Sequence, residues 1–343
     1  MSLNLQYEPQ VLVEDIKKLT REEWKRYRLS GIGGSDVAAL CGVSPWATAR
    51  DLYEEKTKKK YIEWPDSGWV AMEIGSLLEE LVVQIFMAKT KLQPYAVRKM
   101  FYHPLFSFMR ANVDFFVKLN GKIFIVECKT RFSYDMDEWK DGGIPYHYVL
   151  QGRHYMCVTN VDGVIFLCLH GNSDKDLIIR RLDRDLEQEE EMIEQECDFW
   201  EDHVIPGIPP KYTECSGLML RSIQQRLGMK EGTQIVLPAE LSQNVTSYLE
   251  LKKKKSELDR QARQIEELIK QTYAPVQEAM DGAETGTIWI EGNRYQAGYT
   301  KRTTTSISKD SLEAMQLRNP EIYREYAKTN TSMSFFIKQE KAG

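Results

Sequence analysis

The chain lacks the cysteine pattern of a metal-stapled or disulfide-framed protein. Its six cysteines (Cys41, Cys128, Cys157, Cys168, Cys197 and Cys215) are scattered, mostly among apolar neighbours, and no Cys-x-x-Cys occurs. The five histidines show no ligand spacing. Structural zinc, an iron–sulfur staple and a disulfide framework are therefore not expected, and the thiols read as buried groups in a reducing compartment. No apolar run approaches the roughly 18 residues that a membrane span needs, so no membrane association is expected. Residues 1–15 have no basic stretch leading into a long apolar core, so no secretory leader is expected either. An excess of positive charge is also missing. With 46 Lys and Arg against 51 Asp and Glu, the net charge is −5, and the pI is about 5.8. Bulk attraction to nucleic acid is thus absent, and any such site must be a local basic surface.

What is present is a globular composition, 42% apolar and 28% charged over 343 residues, enough for one large domain or two of ordinary size. Charge is uneven. Residues 183–202 are strongly acidic, while Lys56, Lys58, Lys59 and Lys60 cluster, as do residues 252–255. Such runs read as solvated faces. Thr20-Arg21-Glu22-Glu23 predicts a capping box opening a short helix. Gly31-Ile32-Gly33-Gly34 breaks it, and Ser35-Asp36 predicts the cap of the next. Ser44-Pro45-Trp46 reads as a turn. Residues 72–89 form an amphipathic helical pattern with Leu78, Leu81, Val82, Ile85 and Phe86 on its apolar face. A helix is expected over 146–159, a central strand over 164–170 and a polar helix over 182–203. Pro206, Pro209 and Pro210 mark a boundary. Beyond it, 238–273 is one long helical pattern close to a heptad, suited to a helical hairpin or short coiled coil. A hairpin follows around Glu291-Gly292-Asn293, and then a weakly helical tail.

The most informative stretch is 111–129. Residues 111–117 and 122–128 read as two strands joined by Asn120-Gly121, the pair a two-residue type I′ turn prefers because both turn positions need φ > 0. With that turn, Asp114 lies opposite Glu127 and Asn112 opposite Lys129. Side chains alternate along a strand, so Glu127, Lys129 and Asp114 share a face. Directly opposed side chains have Cβ atoms roughly 4.5–5.5 Å apart, and like charges at that range repel. A divalent cation such as Mg²⁺ would offset the repulsion, and the lysine would then orient water or face a phosphate. A solvent-facing strand is the plainer reading, but Phe115, Phe116, Ile123, Phe124, Ile125 and Val126 flank these charges and argue for burial.

Other candidates are weaker alone. Glu79, one turn after Gly75, sits at the edge of the 72–89 apolar face and can reach a site at the sheet edge; most such glutamates are surface residues. Gln151, with His154 and Tyr155 at helical spacing, reads equally as core. Arg28 and Ser35 bracket the glycine turn, where a capped helix start with free N–H groups suits a phosphate and an arginine can close over it bidentately; an ordinary capped helix is the plainer alternative.

Together these segments resemble the PD-(D/E)xK nuclease superfamily, and within it the YqaJ-like phage recombinases related to lambda exonuclease. The carriers are Trp24, Arg28 and Gly33-Gly34-Ser35-Asp36, then Gly75-x-x-x-Glu79, Met109-Arg110-x-x-x-Asp114, Glu127-Cys128-Lys129, and Gln151 with Tyr155. Order and spacing agree over residues 20–170. Val113 stands where the family usually has proline. The resemblance implies an α/β restriction-endonuclease-like core, a central mixed sheet flanked by helices, over residues 1–213. A helical and β-hairpin extension, 214–343, lies outside the motifs.

By the same resemblance Glu79, Asp114 and Glu127 bind metal, Lys129 assists the attacking water, and Gln151 supports the site with Tyr155 beside it. Arg28 and Ser35 hold a terminal DNA phosphate. The implied activity is an ATP-independent 5′→3′ exonuclease on double-stranded DNA ends, using two Mg²⁺ ions (Mn²⁺ substituting). It leaves 3′ overhangs for a single-strand annealing partner. The implied assembly is a ring-shaped homotrimer, phage- or prophage-encoded and cytoplasmic in a bacterial host. A basic lumen inside an acidic exterior would reconcile DNA processing with the low pI. Two other readings stay open: a structure-specific endonuclease or nickase on the same fold, and a non-catalytic DNA-end-binding recombination scaffold.

Overall fold

Polar caps and glycines punctuate the first part of the chain into short elements. The computed structural model describes residues 6–58, 69–131, 137–228, 231–304 and 306–327, in two units, Met1–Glu231 and Gly232–Gly343. Strand β1 is Gln10–Val13. Helix α1, Arg21–Leu29, begins with the expected capping box: Glu23 N–H donates to Thr20 Oγ1 at 3.2 Å, and Thr20 N–H to the Glu23 carboxylate at 2.9 Å. Strand β2 is Ile32–Gly33 and helix α2 is Gly34–Leu40. Here the structure corrects the expected cap. Gly33, not Ser35, is the N-cap, because Asp36 reaches back to accept the Gly33 N–H at 3.0 Å. Ser35 lies inside the first turn. Helices α3, Ala49–Lys58, and α4, Trp69–Thr90, follow.

Strands β3 (Met100–Tyr102) and β4 (Met109–Asn112) join the first pair in a sheet of order β1-β3-β4-β2. Strands β5 (Phe115–Leu119), β6 (Lys122–Thr130), β7 (Gly163–Leu169) and β8 (Leu177–Asp183) form a second sheet in that order. It is mixed: β5–β6 and β7–β8 are antiparallel, β6–β7 parallel. A parallel pair needs a crossover, and helix α5, Tyr146–Thr159, lies in it. The β5–β6 hairpin turns on Asn120 (φ 52°) and Gly121 (φ 78°), with Phe115 opposite Val126 and Leu119 opposite Lys122, the register expected.

The strand expected over 111–117 is two strands in two sheets. Asn112 pairs with Met100, not Lys129. The β5–β6 ladder ends at Phe115, and Asp114 stands at the step between the sheets, where its Oδ2 accepts the Cys128 N–H at 2.9 Å. An alternating pattern does not record which neighbour each half of a run pairs with. The helix expected from 182 also starts later. Residues Leu177–Asp183 complete the sheet edge, and helix α6, Leu186–Asp198, begins at an Asp185 cap.

Burial explains the layering. Every residue of β7 is buried, as a strand covered on both faces requires. Val164, Phe166 and Cys168 face one core with Ile125 and with Leu150, Met156 and Val158 of α5. Ile165, Leu167 and Leu169 face a second core with Phe124, Val126 and with Val82, Val83 and Phe86 of α4. The sheet is thus flanked by helices, each fully buried side chain of this size contributing about 1.5–3 kcal/mol. The α4 face differs slightly from expectation: Val83 is buried and Leu81 is 45% exposed.

Helix α7, Ser216–Leu227, belongs to the first unit; its Ser222 hydroxyl donates to Asp51 at 2.6 Å. The second unit holds the long helix α8, Ser242–Ala279, the hairpin β9 (Thr285–Ile290) and β10 (Asn293–Gly298), and helices α9 (Lys309–Arg318) and α10 (Pro320–Tyr326). Among the described residues, no helix is long and apolar enough to cross a membrane.

Close approach at Gly163 gives a test of the sheet. A Cβ there would lie 2.6 Å from the Phe124 ring and 2.7 Å from the Leu182 carbonyl oxygen. Gly163→Ala is expected to cost about 1–3 kcal/mol, seen as a lower melting temperature. An unchanged melting temperature would contradict the β6–β7–β8 pairing.

Candidate active site

Strand β6 and helix α5 build the centre of the site. Glu127 and Lys129, two apart on β6, share a face, and Lys129 Nζ donates to Glu127 Oε1 at 2.7 Å. Gln151, on the α5 turn facing them, ties both together: its Nε2 donates to the same Glu127 oxygen at 2.8 Å, and its Oε1 accepts from Lys129 at 3.1 Å. One turn later, the Tyr155 hydroxyl oxygen accepts a second Gln151 bond at 3.1 Å. Glu127, Gln151 and Tyr155 are buried. Burial works to lower the Lys129 pKa, but the Glu127 charge and hydrogen bond, with Tyr148 and Asp114, together outweigh it and hold the amine above the usual lysine range, so it stays a cation. Burial and then the Glu127 charge push the Tyr155 phenol well above its usual range, so it stays neutral.

Two more carboxylates share this neighbourhood. Burial, the Glu127 charge and, more weakly, Glu79 drive the Asp114 carboxyl well above the usual range, against the Cys128 N–H bond and Lys129. Glu79 is raised as well, by burial first and Glu127 second. Its helix crosses β6 here, with the Glu79 carbonyl oxygen 3.8 Å from Cys128 Sγ. Among the described residues, no three His, Cys, Asp or Glu side chains already form a ready-made metal cluster. The chemistry of the donors nevertheless suits a hard cation. Glu127 Oε2 is buried with no hydrogen-bond partner, and the Glu127 charge adds to the upward push on both Asp114 and Glu79.

Arg28 and Ser35 are also brought together. Arg28 Nη1 donates to Ser35 Oγ at 3.2 Å and Nη2 pairs with Asp36 Oδ1 at 2.7 Å. Asp36 is the hub. Lys56 Nζ lies 2.8 Å from its Oδ2 and 2.8 Å from the Arg28 carbonyl oxygen. Burial pushes Asp36 up, but Arg28 and Lys56 outweigh it and bring the carboxyl to about 2. Burial raises the Glu55 carboxyl, 3.8 Å from Arg28 Nε, against the pull of Lys56. The two groups meet through α2 and α5: a Cβ on Gly34 would lie 2.6 Å from the Tyr155 ring, so only glycine lets this helix start approach.

Sequence reasoning missed two contributors, Lys56 and Tyr148. Lys56, read as part of a solvated lysine run, has a fully buried ammonium; the run's neighbours Lys59 and Lys60 lie outside the described residues. Tyr148 carries Lys129 Nζ 4.7 Å above its ring; its place one turn before Gln151 was the available signal. His154 faces away from the site, bonded to Glu196 at 2.8 Å and to the Arg110 carbonyl oxygen at 2.8 Å.

A mixed sheet flanked by helices thus carries Glu127 and Lys129 on β6, with Asp114 at the step between the two sheets. Residues 23–162 match the YqaJ-like viral recombinase domain. The chain is 30% identical to the protein YqaJ of Bacillus subtilis (strain 168) over 325 residues, 94% of this chain and 95% of that one. It belongs to the YqaJ-like viral recombinase family. Among solved structures it is similar to an alkaline exonuclease (LHK-Exo) from Laribacter hongkongensis, at 19% identity and TM-score 0.46, covering 60% of this chain and 99% of that one. It is similar also to a phage-related exonuclease from Haemophilus somnus 129PT, at 11% identity and TM-score 0.40, covering 53% and 96%.

The raised Asp114 carboxyl has a measurable cost. The unfolded chain releases this proton at lower pH than the folded one, so its contribution to stability falls as pH rises above the ordinary carboxylate range. Asp114→Asn keeps an oxygen for the Cys128 N–H and removes the charge. In chelator at pH 7 the variant is expected to melt above wild type, with the gap closing as pH drops below about 4. Mg²⁺ is expected to raise the wild-type melting temperature and to leave the variant nearly unmoved. A variant melting below wild type at pH 7 would contradict the repulsion.

Proposed function

We propose that the protein is a divalent-metal-dependent nuclease that degrades double-stranded DNA from its ends, 5′→3′ and without ATP. It leaves 3′ overhangs for a single-strand annealing partner. The observation that carries this reading is Glu127, buried with one oxygen bound by Lys129 and Gln151 and the other without a partner. In the proposal Glu127, Asp114 and Glu79 would hold the metal. Bound Mg²⁺, or Mn²⁺ in its place, singly or as a pair, would acidify water and offset charge on the scissile phosphate. Lys129 keeps its proton, so its role is to orient the water and face the phosphate's developing charge. Gln151 fixes the lysine relative to Glu127, and Tyr155 fixes Gln151. Hydrolysis adds water across one P–O bond, and a proton leaves with the released sugar hydroxyl.

Arg28 and Ser35 would take the 5′-phosphate of the DNA end, with Asp36 and Lys56 holding the guanidinium in place. The degradative polarity, a ring-shaped homotrimer and the annealing partner belong to the same proposal, as does a cytoplasmic, phage- or prophage-derived setting. None of the residues given a role here comes from the second unit. Its part, we propose, is processivity or partner binding.

Lys129→Ala is expected to slow hydrolysis by about 100-fold or more, as loss of a charge-stabilising donor does, while DNA binding persists; chelator should abolish cleavage by wild type. Near wild-type turnover in the variant would remove Lys129 from the chemistry. Wild-type enzyme is further expected to prefer 5′-phosphorylated over 5′-hydroxyl duplex ends, and Arg28→Ala to erase the preference. Equal wild-type rates on both ends would remove the phosphate role.

A further inference from the structure

Beside this site one large aromatic side chain is held out in water. Trp46 is 51% exposed, yet the turn presenting it is pinned on both sides. Val43 and Ser44 N–H groups donate to the Ala38 carbonyl oxygen at 3.0 and 2.9 Å. Ser44 Oγ accepts the Trp46 and Ala47 N–H groups at 3.1 and 3.2 Å. Thr48 Oγ1 and its N–H donate to Asp51 at 2.7 and 2.9 Å. Ordering cost is therefore met within the fold, as a preorganised contact residue requires.

The indole meets the His147 ring in a T-shaped contact at 5.0 Å. Such a contact uses an edge of one ring and a face of the other, so Trp46 keeps a face that His147 does not cover. His147 in turn meets Tyr148 at 4.1 Å, and Tyr148 lies under Lys129 Nζ at 4.7 Å. A run of rings thus leads from the surface to the cation of the candidate site. Tyr146, next to His147, is exposed as well, and Arg131 follows β6 as a second, partly exposed cation. Flat apolar rings interleaved with cations suit a polymer of flat bases on an anionic backbone, and base–aromatic stacking tolerates any sequence.

We propose that the exposed face of Trp46, backed by His147, stacks an unpaired nucleobase of the DNA strand whose backbone runs past Lys129. This rests on the reading of the site as DNA-cleaving. The stacked base would hold the strand end open and in register, without sequence preference.

The test uses full-length protein in chelator and fluorescence anisotropy with 5′-phosphorylated duplexes. One duplex is intact; the others each lack a single base near the 5′ end. Wild type is expected to lose about tenfold in affinity when one particular base is missing. Trp46→Leu, which keeps apolar bulk but has no ring, should bind the intact end about tenfold more weakly and be indifferent to that missing base. Trp46→Phe should stay within about threefold of wild type. Full affinity in Trp46→Leu, or a loss that adds to the loss from the missing base, overturns the stacking site. Hydrolysis of the intact duplex by wild type in Mg²⁺ is read separately: its absence overturns the nuclease reading, while anisotropy alone decides the stacking.

Discussion

The site depends on one unresolved charge interaction. Glu127 is buried with one oxygen shared by Lys129 and Gln151 and the other without a partner. Removing a charged oxygen from water without a hydrogen bond is expensive, and one lysine does not meet the cost when Asp114 and Glu79 add negative charge nearby. The upward push on both neighbouring carboxyls is that cost made visible. A fold that tolerates such a cluster must gain elsewhere, and in the proposed function the gain would be a place that holds a divalent cation more tightly than any single acid does.

The rest of the first unit keeps the cluster from relaxing. Strand β7, buried on both faces, fixes β6 in a parallel pair, so Glu127 and Lys129 cannot swing toward solvent together. The crossover that this pairing demands carries α5, which delivers Gln151 and Tyr155 one turn apart. The step between the two sheets leaves Asp114 free of the ladder, with its side chain in place of a strand bond. On the far side, Tyr155 packs against Gly34 and so fixes the spacing between the carboxylates and the Arg28–Asp36–Lys56 group. In the proposed function, that one aromatic ring would set the distance between end recognition and chemistry.

Much of this was legible in the residues because it is local. The Asn120-Gly121 turn, the Thr20 capping box, the continuous apolar run of β7 and the helix over 146–159 each follow from a rule that spans a few positions. Two acids and a lysine at matched hairpin positions pointed to the site for the same reason. What was not legible is non-local. Residues 111–117 alternate like one strand, and only the neighbours of each half reveal two sheets. Strand β8 sits against an acidic stretch whose composition favours helix. Lys56 looks like any member of a surface lysine run until Asp36 is found beside it, twenty positions away in sequence. The buried Glu127 oxygen with no partner has no sequence signature.

The most direct test of the central claim is digestion of linear and covalently closed circular duplex of the same sequence, with Mg²⁺, by wild-type protein and Glu127→Gln. The account predicts that wild type shortens the linear duplex from its 5′ ends and leaves the circle intact, and that Glu127→Gln leaves both intact. Cleavage of the circle at a comparable rate, or undiminished digestion by Glu127→Gln, would contradict it.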